Sequence, residues 1–170
     1  MNPNLLFEFT VSKENQTVHV KRAFAAGLEL VWDAWTKAEL LDQWWAPKPY
    51  YVKTKSMDFR VGGCWLYAMV SPEHVAHYCR ADYREINPHQ LFSALDAFCD
   101  EAGKVSDNMP CTFWVNRFAG ENDHTMVDIT LHFDQLADLE KYLETGFREG
   151  FTMGLENLDK LLSSLTAKNS

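Results

Sequence analysis

No stretch of the 170-residue sequence approaches the ~20 consecutive apolar residues that a membrane-spanning helix needs. A membrane span is therefore not expected. Basic residues are scarce beside acidic ones, 16 against 24, and a net charge of -8 is the wrong sign for a surface that tracks phosphates. Nucleic acid is thereby excluded as an expected partner. Neither GxxxxGK nor GxGxxG occurs, so nucleotide and dinucleotide cofactors have no anchor, and no cofactor is expected. The GxSxG elbow of serine hydrolases is also missing. Cysteine is sparse and unpaired in pattern: Cys64, Cys79, Cys99 and Cys111 stand 15, 20 and 12 residues apart with no CxxC, which suits neither a zinc knuckle nor a redox dithiol. They read as free thiols in strands. Glu73, His74 and His77 place a carboxylate and two histidines within five residues, but the order is EHxxH beside Pro72 at a turn, not the helical HExxH that sets two histidines one turn apart. No metal site is expected there. Residues 1–10 lack a charged leader and an apolar core region, so no secretory signal is readable and a cytoplasmic location is expected.

What remains is a composition rich in apolar and aromatic residues, 46% and 14%, with 24% charged, which describes a globular chain. One domain spanning 1–170 is expected, long enough to bury roughly two thirds of its unfolded surface. Residues 5–11 and 17–24 are β-rich runs split by a polar stretch, predicting a hairpin or two successive strands. Leu28, Val31, Trp32 and Trp35 recur at three and four, and Leu41, Trp44 and Trp45 extend the pattern, predicting two short helices ended by Pro47 and Pro49. Six strand-like runs follow, at 51–59, 64–70, 76–86, 91–98, 111–118 and 125–133, with separators short enough for antiparallel neighbours. Residues 134–144 suit a short helix. Residues 146–165 suit a long amphipathic one, with Phe147, Phe151, Leu155, Leu158, Leu161 and Leu162 on one face. The class is α+β: a curved antiparallel sheet with a terminal helix packed across its concave side. Such a space, if apolar with a few polar groups, is the default small-molecule site.

Four segments carry a more specific likeness: VWDAWTKAELLDQWWAP at 31–47, DFRVGGCWLYAM at 58–69, RADYREINP at 80–88 and GFREGFTMGLENLDKLL at 146–162. Together they resemble the START-like (SRPBCC) superfamily, in the branch named after the activator of the heat-shock protein 90 ATPase, over about 17–165. The resemblance implies the helix-grip fold and a cavity for hydrophobic ligands, whether lipid, sterol, flavonoid or polyketide-like. Family members of this kind are mostly bacterial, many without a known reaction. Where relatives usually carry larger residues, this chain has Cys79 and Ser93, which implies a wider or more polar pocket locally.

Trp65, Tyr67 and Met69 alternate onto one face of their strand, and the resemblance implies that this is the cavity face. His77, Cys79 and Tyr83 share a parity in the next strand, where His77 and Tyr83 could orient a ligand through hydrogen bonds. The expected ligand-binding set is Trp45, Trp65, Tyr67, Met69, His77, Cys79, Tyr83, Phe151, Leu155 and Leu158, with Trp45 near the entrance and no catalytic residue. Two alternatives stand beside simple binding. One is a cyclase or dehydratase drawing an acid/base pair from His77, Tyr83, Asp96 and His132; it requires a histidine or carboxylate of shifted pKa inside the pocket. The other, hinted by the family name, is a chaperone-interaction module. Trp44 and Trp45, adjacent on a helix, would point about 100° apart and could not share one surface. Trp114 is open to an outward position, where it would favour a homodimer. Gly146, Gly150 and Gly154 repeat every four residues in the terminal helix. Gly146 is expected just before the helix, and the other two to permit close approach of the sheet, the N-terminal helices or a ligand.

Overall fold

The computed structural model describes residues 5–168. The chain runs through β1 (Phe7–Ser12), β2 (Thr17–Phe24), α1 (Leu28–Thr36) and α2 (Ala38–Leu41). Six strands follow: β3 (Tyr51–Met57), β4 (Cys64–Val70), β5 (Ala76–Asn87), β6 (Leu91–Cys99), β7 (Thr112–Glu121) and β8 (His124–His132). Two helices close it, α3 (Leu136–Glu144) and α4 (Phe147–Lys168). All eight strands join one antiparallel sheet in the order β1-β2-β8-β7-β6-β5-β4-β3, so β8 returns to β2 and leaves β1 and β3 as edges. This is the α+β, helix-grip arrangement that the sequence predicts. No helix among the described residues is long and apolar enough to cross a membrane.

Strict alternation sets the concave face. Val18 and Val20 on β2 stand opposite Leu131 and Ile129 on β8, and all four are fully buried. Bulges at Thr54/Ser56 and Tyr83/Glu85 interrupt the ladders, and a bulge bends and twists the strand that carries it. The curved face takes α4, whose Phe151, Leu155, Leu158 and Leu162 are buried at helical spacing. Each such side chain contributes about 1.5–3 kcal/mol relative to an exposed one. Gly146 holds φ +88° in the link from α3, a conformation that costs a side-chain-bearing residue, and α4 begins at the next residue. Gly154 serves packing instead: a Cβ there would stand 3.3 Å from the Trp45 carbonyl oxygen and 3.4 Å from that of Trp44. The close approach is thus to the segment after α2.

Two expectations need correction. The second helix stops at Leu41 and residues 42–46 run as turns. Released from helical geometry, Trp44 and Trp45 both turn inward, with ring centroids 5.2 Å apart; Trp44 Nε1 donates to the Ala34 carbonyl at 2.8 Å. Trp114 faces the concave side and is 3% exposed, so it cannot supply the exposed ring on which the dimer expectation rested. Its parity partners on β7 are Thr112 and Asn116, both buried despite being polar.

Candidate functional site

Beneath the first turns of α4 the sheet and helix do not close on each other. A cavity of about 180 Å³ lies between them, with a smaller chamber of about 30 Å³ deeper in the core. Trp45, Asp96 and Trp114 line both, so they form the partition between the two spaces. The outer cavity is walled by Tyr67 and Met69 of β4, Cys79 of β5, Phe98 of β6, Thr112 of β7, Tyr142 of α3, and Phe147, Gly150 and Phe151 of α4. Pro47, Pro110 and the Thr145–Gly146 link complete it at its more exposed rim. The inner chamber adds Trp35, Leu41, Trp65, Tyr83, Phe92 and Asn116.

The aromatic rings are locked edge to face. Trp45 meets Trp65 at 5.9 Å, Trp114 at 5.6 Å and Phe151 at 6.1 Å between centroids. Phe147 and Phe151 stack at 5.2 Å along α4. Trp45 Nε1 donates to the Tyr67 hydroxyl at 3.0 Å, fixing both rings, since each has one polar atom and here each atom is used. Tyr67 lies directly across from Cys79 in the β4–β5 ladder.

Amid these rings stands one carboxyl group. Asp96 shares the concave face of β6 with Phe92, Ala94 and Phe98, opposite Ala81 of β5 and Thr112 of β7. It is enclosed by protein, and the accessible surface it retains is cavity wall. No group among the described residues hydrogen-bonds or neutralises it. Desolvation, reinforced by the negative charge of Asp82, holds its carboxyl well above the ordinary value of 3.8. Neighbouring groups respond in kind. Burial, then the Asp96 charge, pushes the Cys79 thiol up to about 12 and raises the Tyr83 and Tyr142 hydroxyls. Burial raises Tyr67 as well, with Cys79 and then Asp96 adding to it. Four further polar atoms here are buried without partners among the described residues: Trp35 Nε1, Thr112 Oγ1, Trp114 Nε1 and Asn116 Oδ1.

The ten residues expected to bind ligand divide three ways. Trp45, Tyr67, Met69, Cys79 and Phe151 line the outer cavity, while Trp65 and Tyr83 line the inner chamber, where Trp45 joins them. Trp45 thus sits at the partition and not at an entrance. Leu155 and Leu158 are fully buried in the helix–sheet core and touch neither space. His77 is exposed at the start of β5, 6.5 Å from the Tyr50 ring, and lines neither space, although its parity matches that of Cys79. Ser93 likewise lines neither, so the local widening implied for it does not occur there. Sequence reasoning put Asp96 only in a loose acid/base set and left Thr112, Tyr142 and Phe147 out of the site. An acidic residue at the parity of Phe92 and Phe98 was the available signal.

Comparison with known proteins places this geometry in a family. Solved structures with the same fold include a solution structure of a protein from Arthrobacter aurescens, at 24% identity and TM-score 0.87 over 92% of this chain and 91% of that one. A crystal structure of a protein from Mycobacterium smegmatis matches at 22% identity and TM-score 0.84 over 93% and 96% of the two chains. A solution structure of a Staphylococcus epidermidis protein matches at 27% and 0.80 over 91% and 94%. None of the curated proteins matches the sequence. The family model described as Activator of Hsp90 ATPase homolog 1-like protein matches residues 25–163, more than half of the chain, and the chain belongs to that family.

Proposed function

We propose that the protein binds a small, mainly hydrophobic molecule in the outer cavity and leaves it chemically unchanged. The observation that supports this is the space itself: about 180 Å³ walled by Trp45, Tyr67, Met69, Trp114, Phe147 and Phe151, at a place where the rest of the helix–sheet interface is close-packed. An engineered apolar cavity of about 150 Å³ accepts benzene, so this one suits a molecule of one or two rings. A sterol would require Trp45 to swing away from the partition. Titrating isotope-labelled protein with pooled fatty acids, flavonoids and small aromatics tests the reading. Saturable shifts are expected at the Trp45 and Trp114 indole N–H resonances and at the amides of 147–151. No shift across the panel overturns it.

One observation favours a second reading. Asp96 is a pocket carboxyl with a raised pKa, the feature that a cyclase or dehydratase requires of its general acid. Its weakness is the missing partner: no histidine lines either space. Chromatography with mass spectrometry of a bound compound after prolonged incubation separates the two: loss of water reports dehydration, a new retention time at the same mass reports cyclisation, and no change in either supports binding alone.

A further inference from the structure

We propose that the ligand is an amine, an arylalkylamine-sized molecule whose ammonium group pairs with Asp96 while its ring lies among Trp45, Trp114, Phe147 and Phe151. This rests on the outer cavity being a ligand site and names what that site selects.

A buried carboxyl is normally paired or hydrogen-bonded, because its ionised form loses water and must regain polar partners. Asp96 has none among the described residues, and no lysine, arginine or histidine lines either space. The titratable groups that face it are Tyr67 of β4, Cys79 and Tyr83 of β5 and Tyr142 of α3; β7 and α4 present none to the cavity. Asp82 adds negative charge from farther along β5. Each of these groups is neutral or negative, so a carboxylate ligand meets only repulsion and desolvation. A cation supplies the absent counter-charge.

Aromatic faces carry negative quadrupole density and attract ammonium groups, more strongly where water is excluded. Two tryptophans and three phenylalanines bound the space beside Asp96. Thr112 offers a spare acceptor: it stands directly across the ladder from Asp96, and its buried Oγ1 has no partner among the described residues. An ammonium has three donors, and the carboxylate and this hydroxyl can take them. The buried Arg22 guanidinium shows what such a charge takes in this protein when it is satisfied, a counter-ion and an aromatic face: it pairs with Asp159 at 2.9 Å and lies 4.8 Å from the Phe24 ring.

A matched series of probes tests this: 2-phenylethylamine, 2-phenylethanol and 3-phenylpropanoate, which share a ring and differ at the polar end. Each is titrated near neutral pH into the wild type and Asp96→Asn, with indole N–H shifts as the readout. The amine should bind the wild type about tenfold or more tightly than the alcohol, the scale of a charge-assisted hydrogen bond, with the acid weakest. In Asp96→Asn the amine-to-alcohol ratio should fall to about one. Thr112→Val should reduce the same ratio by a smaller factor, and it serves if Asp96→Asn fails to fold. Alcohol binding as tight as amine binding in the wild type overturns the amine proposal and leaves the cavity reading standing. So does an unchanged ratio in both variants. If none of the three probes saturates, the cavity reading fails and this proposal falls with it.

Discussion

The two ends of the helix–sheet interface treat a buried charge in opposite ways. Toward the C-terminal half of α4, Arg22 is fully buried, donates to Asp159 and to its neighbour's carbonyl at Ala23, and is covered by Phe7 and Phe24. Leu155, Leu158 and Leu162 are buried along that stretch of the helix. Toward the N-terminal half, Asp96 is enclosed with no partner and faces a space of about 180 Å³. A fold optimised only for stability would treat both ends like the first, since an unpaired buried carboxyl and a void each cost free energy. Among the described residues the closed end leaves Arg22 Nε without a partner, but the described void and the carboxyl with no counter-charge both fall at the other end, which marks it as the end kept for something else. Stability and binding are thereby separated along one helix.

Breaking the closed end should have the largest effect. Arg22→Ala leaves the Asp159 carboxylate without its guanidinium partner and opens a hole, so a loss of about 3–5 kcal/mol is expected in urea unfolding. A loss under about 1 kcal/mol would mean that the pair is not what closes this end. Asp96→Asn should act with the opposite sign. Because the folded carboxyl sits above 3.8, the folded protein holds this proton more tightly than the unfolded chain does. Its contribution to stability is therefore complete below 3.8 and is lost as pH rises through the raised value. The variant has no such proton, so its advantage over the wild type should grow from acid to neutral pH. Unfolding curves that keep a constant separation across that range would show that Asp96 is better solvated than its place in the cavity implies.

Two glycines sharpen the contrast on α4 itself. Gly154→Leu must push the Trp44 and Trp45 carbonyls away, since its first carbon already stands 3.3 Å from one of them. Overpacking of this kind costs about 1–3 kcal/mol, read as a lowered melting temperature. At Gly150 a Cβ meets only Pro47 Cγ, at 3.7 Å, and the position lines the outer cavity. Gly150→Leu should therefore keep the melting temperature nearer the wild type while filling the site and abolishing binding. Equal melting losses in both variants would erase the distinction between a packed half and an open half.

Most of this frame was legible in the sequence because period-two alternation and turn residues are local signals. The strands came out within about two or three residues of their expected ends, and α4 starts where Gly146 suggested. The interior of the site was harder, for reasons specific to two strands. In LFSALDAF both parities are apolar, so alternation could not say that Phe92, Asp96 and Phe98 face inward together. In TFWVNRF the inward parity carries Thr112 and Asn116 while Phe113 and Val115 face the other way, so amphipathy pointed to the wrong face for Trp114. His77 failed differently: its parity was right, but parity says which face a residue takes and not how far the covering helix extends. Polar residues turned into a cavity look like surface residues to any pattern rule, which is why binding sites are the places where such rules fail.

The smallest effect should come from the partition. Trp45→Phe keeps an aromatic ring between the two spaces but removes the Nε1 donor that holds the Tyr67 hydroxyl at 3.0 Å. A net loss of about 1 kcal/mol is expected for one such bond, detectable by denaturant unfolding though barely by melting temperature. The phenyl ring is also smaller than the indole it replaces, so the inner chamber of about 30 Å³ should merge with the outer cavity. Stability should fall slightly while the affinity for a two-ring probe rises relative to a one-ring probe. If instead both probes weaken together, Trp45 serves the ligand as a contact surface only and does not set its length, and the division between packed core and open site would lie at Trp65 and Trp35, deeper in the molecule.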